Sequence, residues 1–89
     1  MLVCKHLRYS GRVQGVGFRQ TAKSIAEKYP VVGFVRNLPQ GDVELTAQGE
    51  PESVAEFLQE LADRMKRYIR DCVEAEESTC EFSQFEIRF

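Results

Sequence analysis

The chain has 89 residues, of which 43% are hydrophobic and 29% are charged, and its formal net charge is −2. A chain of this length and composition should fold as one domain, residues 1–89, around a single core, which argues against a disordered protein. The slight acidity and the lack of a basic run argue against a general nucleic-acid or membrane-surface binder. No apolar run could span a membrane and Met1–Lys5 is too short for a signal peptide, so we expect a cytoplasmic protein.

The first third of the chain predicts a strand, a glycine-rich loop and a helix. Apolar side chains alternate with polar ones from about Val3 to Val13, which favours a strand. Apolar residues then recur at helical spacing as far as about Tyr29, and Pro30 should end this helix. The predicted apolar stripe consists of Phe18, Ala22, Ile25, Ala26 and Tyr29.

The loop Gly11–Arg19 has the features of an anion-binding turn. It leads into a helix N-terminus, where unpaired N–H groups and the helix dipole favour a phosphate or a carboxylate. Gly15 and Gly17 can take the positive φ angles that gather N–H groups around an anion, and Arg19 adds a planar cation. By itself the stretch fits a plain tight turn with a solvated arginine equally well. Its spacing matches neither the dinucleotide-binding glycine motif nor the P-loop.

The middle of the chain predicts a hairpin. Val31–Leu38 should be a strand that places Val31, Gly33, Val35 and Asn37 on one face, and Pro39–Asp42 should be the turn. Val43–Gln48 should be the third strand, with Val43, Leu45 and Ala47 facing inward. Asn37 is unusual at the end of an apolar series, because a buried amide needs hydrogen-bond partners. It could cap the turn, or it could form a site together with the glycine-rich loop.

The last third of the chain predicts a helix and two strands. Pro51 is well placed in the first turn of a helix whose apolar stripe is Val54, Phe57, Leu58, Leu61 and Met65. The next strand should run from about Tyr68 to Glu76 with Ile69, Val73 and Ala75 facing inward, and we expect a bulge or register shift near Asp71. In the final strand, Phe85, Ile87 and Phe89 alternate with charged residues.

The element order is therefore β-α-β-β-α-β with a possible extra edge strand. Two helices with one apolar stripe each can cover only one face of a sheet, so the other face should look outward. This predicts an α+β fold, a two-layer ferredoxin-like sandwich with a mainly antiparallel sheet and both helices on one face. The first and third strands should be central, and the second should lie at an edge.

The cysteines and the histidine give no motif for metal binding or nucleophilic catalysis. Cys4, Cys72 and Cys80 are odd in number and contain no C-x-x-C pair, so we expect free thiols and no metal site. Cys80 should lie in an exposed loop, where it could form an intermolecular disulfide in air. His6 should be a surface residue of the first strand.

Two stretches of the chain resemble the signatures of the acylphosphatase family. Gly11–Arg19 is similar to the first signature and Gly33–Glu44 to the second, in the family's order and separation. The resemblance covers nearly the whole chain. It implies an enzyme that hydrolyses the carboxyl-phosphate mixed anhydride of small acyl phosphates to carboxylate and phosphate, without metal or cofactor.

The resemblance also implies a role for particular residues. The phosphoryl group would be bound by the loop backbone and one arginine, namely Gln14, Gly15, Val16, Gly17, Phe18 and Arg19, and Asn37 would position the attacking water. We further expect phosphate or sulfate to act as an inhibitory anion, and the protein to be a monomer that binds neither nucleic acid nor membranes. The sequence does not identify the physiological acyl phosphate.

The sequence departs from the family pattern at two positions, and two other functions are compatible with it. Pro30 and Gln40 stand where the family often has glycine and aspartate, and Pro30 should change how the first helix ends.

An RNA-binding module could use Phe34 on the open face, although the third strand Val43–Gln48 lacks the aromatic run of such modules. The other alternative is a regulatory or carbamoyl-transfer accessory domain that keeps the anion site.

Overall fold

The computed structural model describes all 89 residues. Its elements are β1 (Val3–Gly11), α1 (Phe18–Ala26), β2 (Val32–Asn37), β3 (Val43–Gly49), α2 (Pro51–Met65), β4 (Ile69–Glu77) and β5 (Phe85–Arg88). The predicted elements all form, and the differences lie at their ends. β1 stops before Val13, and α1 stops before Tyr29 because residues 27–30 form a turn. Neither helix is long and apolar enough to cross a membrane.

The five strands form one sheet in the order β4-β1-β3-β2-β5. All neighbouring strands are antiparallel except β2 and β5, which are parallel. This arrangement confirms the ferredoxin-like α+β fold and the extra edge strand. The prediction that the second strand lies at an edge was wrong, because β5 pairs with its outer side through Gly33 opposite Phe85 and Val35 opposite Ile87.

The hydrophobic core lies between the helices and one face of the sheet. Each helix buries one apolar stripe, and the members are Phe18, Ala22, Ile25 and Ala26 of α1 and Val54, Phe57, Leu61 and Met65 of α2. Phe57 is fully buried and meets Phe85 of β5 edge-on, with ring centroids 5.3 Å apart. Burying a side chain of this size contributes roughly 1.5–3 kcal/mol to folding. The edge strand β5 is therefore held by core packing as well as by β2.

A bulge sets the register of β4 against β1. Ser10 lies opposite Asp71 but Gly11 lies opposite Ile69, so Arg70 is the extra residue. Gly11 has a φ angle of 127°, and a Cβ there would lie 2.5 Å from the Tyr68 carbonyl oxygen, so the bulge needs a glycine. The predicted register shift near Asp71 is confirmed.

The bulge also reverses which β4 side chains face the helices. Cys72 lies opposite Tyr9 and Glu74 opposite Leu7, so these two residues share the helix-side face. Val73 is 68% exposed on the other face. The prediction that Val73 and Ala75 face inward was therefore wrong. The extra residue of the bulge shifts the in–out alternation by one position, so side chains counted from Ile69 fall on the opposite face.

The face of the sheet without helices is partly covered by the connection between β4 and β5. Gln48 donates a hydrogen bond to the Cys80 carbonyl at 2.8 Å and accepts one from the Cys80 N–H at 2.9 Å. Gln48 and its neighbour on this face, Thr46, are both buried. The Phe34 ring packs against Phe82 and lies under the Arg88 guanidinium. Since this ring is already occupied, it is a poor platform for stacking an RNA base.

The three cysteines are free thiols as predicted, whereas His6 is more buried than predicted. His6 is half-buried on the same open face, where its Nε2 is 2.7 Å from the Glu44 carboxylate. Its ring is therefore more buried than the predicted surface position implied, and it is held by a hydrogen bond. Cys4 is buried in β1, and burial raises the pKa of its thiol. Cys72 and Cys80 are exposed, and none of the three forms a disulfide.

Candidate active site

The loop between β1 and α1 contains two glycines in the left-handed conformation. Gly15 has a φ angle of 77° and Gly17 a φ angle of 79°, and Gly17 is the N-cap of α1. A Cβ added at either position would meet no atom within 4 Å. Glycine is therefore required here by the backbone angles and not by lack of space.

The backbone N–H groups of residues 14–20 donate no hydrogen bond to any backbone carbonyl. The first bond of α1 runs from the Thr21 N–H to the Gly17 carbonyl at 2.9 Å. No side chain caps the helix, and its first turn contains no acidic residue. The positive end of the helix dipole is thus left uncompensated, which favours an anion at this point.

A cavity of about 240 Å³ opens at this helix N-terminus. Its lining consists of Val13, Gly15, Gly17, Phe18, Arg19, Gln20, Asn37, Ile87 and Phe89. No carboxylate side chain is among these residues, and Arg19 is the charged side chain that faces the cavity. The electrostatic character of the cavity therefore suits an anion. A larger groove of about 580 Å³ lies between α2 and strands β1 and β4, but it is mostly apolar and borders none of the predicted site residues.

The structure brings Arg19 and Asn37 to the same cavity from two different elements. Arg19 is in the first turn of α1, and its guanidinium makes no ion pair and lies 4.8 Å from the centre of the Phe89 ring. Asn37 is the last residue of β2, on the helix-side face as predicted, and its amide makes no hydrogen bond to a protein group. Both polar groups are therefore free to bind a molecule in the cavity.

Two of the predicted phosphate-binding residues do not border the cavity with their side chains. The Gln14 amide is turned toward the hairpin between β2 and β3, and Val16 packs partly against the core. Gly15, Gly17, Phe18 and Arg19 do line the cavity. Gln14 and Val16 can therefore contribute only backbone atoms to it.

Four lining residues were not predicted from the sequence: Val13, Gln20, Ile87 and Phe89. Gln20 directly follows Arg19 in the first turn of α1, so its place next to the predicted arginine could have identified it as a lining residue. Ile87 and Phe89 reach the cavity only because β5 pairs in parallel with β2, a contact between distant parts of the chain that alternation within a strand does not reveal.

The structure offers little for metal binding or covalent catalysis at this site. Nowhere in the chain do three His, Cys, Asp or Glu side chains come together in a group that could hold a metal ion. The cavity lining contains no serine, cysteine or histidine. The chemistry available to the protein here is therefore hydrogen bonding by N–H groups, a guanidinium and two amides.

Comparison with known proteins agrees with the geometry. A sequence model of the family described as Acylphosphatase matches residues 5–87. The acylphosphatase of Vibrio vulnificus is 42% identical over 85 residues, which cover 94% of each chain.

Solved structures show the same fold. An acylphosphatase structure from Coxiella burnetii superposes with a TM-score of 0.86 at 33% identity, over 98% of this chain and 93% of that one. A structure of full-length HypF in its phosphate- and nucleotide-bound form gives a TM-score of 0.84 at 25% identity, over the whole of this chain but 12% of HypF. The fold thus also occurs as part of a much longer protein.

Proposed function

Because this chain belongs to the acylphosphatase family, we propose that it hydrolyses the carboxyl-phosphate mixed anhydride of small acyl phosphates. The products are a carboxylate and inorganic phosphate. The observation that carries this proposal is the single cavity that borders Gly15, Gly17, Arg19 and Asn37 at the unpaired N-terminus of α1.

The loop and Arg19 bind the phosphoryl group. N–H groups of residues 14–19 donate to its oxygens, and the two left-handed glycines keep these donors pointing toward one place. The planar Arg19 guanidinium donates to two oxygens at once, which an ammonium group does less well. Since phosphoryl transfer passes through a loose transition state with charge on the equatorial oxygens, donors held in place supply most of the stabilisation.

Asn37 orients the water that attacks phosphorus. Its amide oxygen accepts a hydrogen bond from the water, whose oxygen forms the new bond to phosphorus as the bond from phosphorus to the acyl oxygen breaks. The electron pair of the broken bond leaves on the carboxylate, and the proton of the water passes to phosphate or solvent. Positioning the reactants in this way is a large part of what an enzyme can contribute to such a step.

The reaction needs no metal ion or cofactor in this proposal. The leaving group is a stabilised carboxylate, so it departs without protonation by a general acid. The anion site of the loop and Arg19 neutralises the phosphoryl oxygens. Val13, Ile87 and Phe89 form an apolar side of the cavity, which is suited to the acyl part of the substrate.

The test is release of phosphate from benzoyl phosphate and from acetyl phosphate with EDTA present. We expect turnover far above spontaneous hydrolysis, and the same measurement on Arg19→Ala supplies the matched control. Phosphate release at the spontaneous rate by the folded wild-type protein would contradict the proposal.

A further inference from the structure

The side chain of Gln14 joins the anion-binding loop to the hairpin turn that follows Asn37. Its amide nitrogen lies 2.8 Å from the Leu38 carbonyl oxygen and 2.9 Å from the Asp42 carbonyl oxygen. Because both partners are acceptors, both N–H bonds of the amide are donated to the hairpin.

The two carbonyls that Gln14 contacts are the ones that define the turn. The Asp42 carbonyl accepts from the Leu38 N–H at 2.8 Å, and the Leu38 carbonyl accepts from the Gly41 N–H at 3.1 Å. Each carbonyl oxygen can accept two hydrogen bonds. Gln14 therefore adds the second bond to each and fixes its own position relative to the turn.

No backbone hydrogen bond performs the same task. The loop residues 12–17 make no backbone-to-backbone bond with residues 38–42. Arg12 is instead bonded to the Tyr68 carbonyl, on the side of β4. The side chain of Gln14 is thus the polar link between the two walls of the cavity.

This link is close to both parts of the proposed chemistry. Gln14 directly precedes Gly15 of the anion-binding loop, and Leu38 directly follows Asn37, whose partner Val43 closes the pairing of β2 with β3. A shift of the turn would move the Asn37 amide relative to the loop. Since the attacking water must stand in line with the leaving oxygen, such a shift would slow turnover.

We propose that Gln14 is a positioning residue: its amide holds the turn after Asn37 at the distance from the anion-binding loop at which the water is in line with phosphorus. This inference rests on the proposed function. It adds a side-chain role to the backbone contact with phosphate that the resemblance implies for Gln14, because the amide donates to the hairpin turn and not to the cavity.

The experiment is a double-mutant cycle of Gln14→Met and Asn37→Ala, with kcat for benzoyl phosphate and the dissociation constant of inorganic phosphate measured for each protein. Methionine has a similar length but no donor. In the wild-type background Gln14→Met should lower kcat by about 10- to 100-fold. The phosphate dissociation constant should change by less than about threefold, because the loop donors remain. In the Asn37→Ala background Gln14→Met should lower kcat by less than about twofold, since no water-orienting group is left to misplace.

Gln48→Met is the matched control for a purely structural effect. Gln48 is a buried glutamine that likewise makes two hydrogen bonds to a loop, but these bonds are to Cys80 on the face of the sheet away from the cavity. Its substitution should lower the melting temperature to a similar extent and leave kcat unchanged. If Gln14→Met does not fold, Gln14→Asn, whose stem is one methylene shorter, takes its place in the cycle.

Two results would overturn the inference while leaving the proposed function intact. One is a kcat of Gln14→Met equal to that of the wild type. The other is an equal loss of kcat from Gln14→Met in both backgrounds. If Asn37→Ala itself retained full turnover, the proposed role of Asn37 would fail, and the inference with it.

Discussion

The guanidinium carbon of Arg19 lies 4.8 Å from the centre of the Phe89 ring, and both residues border the same cavity. An aromatic face attracts a cation without using any of its N–H donors. The ring therefore steadies the Arg19 side chain while its donors stay available for an anion. Arg19 makes no ion pair that would compete with this role.

Removal of the Phe89 ring should weaken catalysis slightly. A cation–π contact at an exposed site is worth about 0.5–1 kcal/mol, so Phe89→Ala should lower kcat/KM by about two- to fivefold. Phe89→Tyr keeps the ring face and should stay close to the wild type. A Phe89→Ala protein with unchanged kcat/KM would show that the ring does not help to position Arg19.

Substitution of Arg19 should reduce turnover and anion binding together. If Arg19 binds the phosphoryl group as proposed, Arg19→Ala removes charge-assisted bonds to its oxygens, and the loss of one such donor group costs about 10²- to 10³-fold in rate. Phosphate should also bind more weakly, which is measured by a smaller rise in melting temperature on adding phosphate. Arg19→Lys keeps the charge but loses the planar fork, so near-normal turnover by this variant would refute the two-oxygen contact.

The loop glycine Gly17 and the strand glycine Gly33 should respond differently to substitution. Gly17→Ala places an L-residue at a φ angle of 79° in open space, so the protein should fold but lose about 1–2 kcal/mol of unfolding free energy. In Gly33→Ala the new Cβ would overlap the Thr46 carbonyl oxygen of β3, so this variant should lose far more stability than Gly17→Ala.

The measurement for both glycines is urea denaturation, followed by a turnover assay on the variants that fold. Gly17→Asn is the matched control, because asparagine tolerates the left-handed region better than alanine. A Gly17→Ala protein as stable and active as the wild type would mean that the loop does not require this backbone angle.

Acid should destabilise the protein partly through Glu44. Burial works to raise the pKa of this carboxyl, but hydrogen bonds with His6 and Arg36 outweigh it, so the pKa is lowered in the folded state. A group whose pKa is lowered by folding stabilises the protein above its unfolded pKa, and this contribution is lost as the pH falls through the folded pKa. The free energy of unfolding should therefore decrease as the pH falls through about 4.3, the pKa at which an unfolded glutamate is half protonated.

The check is urea denaturation at a series of pH values between about 2 and 7. Glu44→Gln should be less stable than the wild type at neutral pH and should lose less stability on acidification. Glu81 is exposed and makes no ion pair, so Glu81→Gln should follow the wild-type curve. Identical pH slopes for wild type and Glu44→Gln would contradict the assigned pKa shift. Asp42, whose pKa is lowered mainly by a hydrogen bond from Arg8, accounts for part of the slope that remains.

Local patterns in the sequence predicted most of the fold and several residues on the loop side of the candidate cavity. Alternation and helical spacing identify which residues share a face, and glycine at Gly15 and Gly17 signals positive φ angles. The contribution of Ile87 depends on the pairing of β5 with β2, which is a contact between distant segments. The outward side of Val73 depends on one inserted residue opposite the end of β1. Neither feature leaves a periodic signal in the chain.

The separation of binding from turnover in Asn37→Ala is the most direct test of the roles proposed for Asn37 and Arg19. The measurement is kcat for benzoyl phosphate together with the dissociation constant of inorganic phosphate for Asn37→Ala and the wild type. If Asn37 orients the water while the loop and Arg19 hold the phosphoryl group, kcat should fall by at least about 10²-fold and the dissociation constant should change by less than about threefold. A parallel loss of phosphate binding and turnover, or a kcat equal to that of the wild type, would contradict this division of roles.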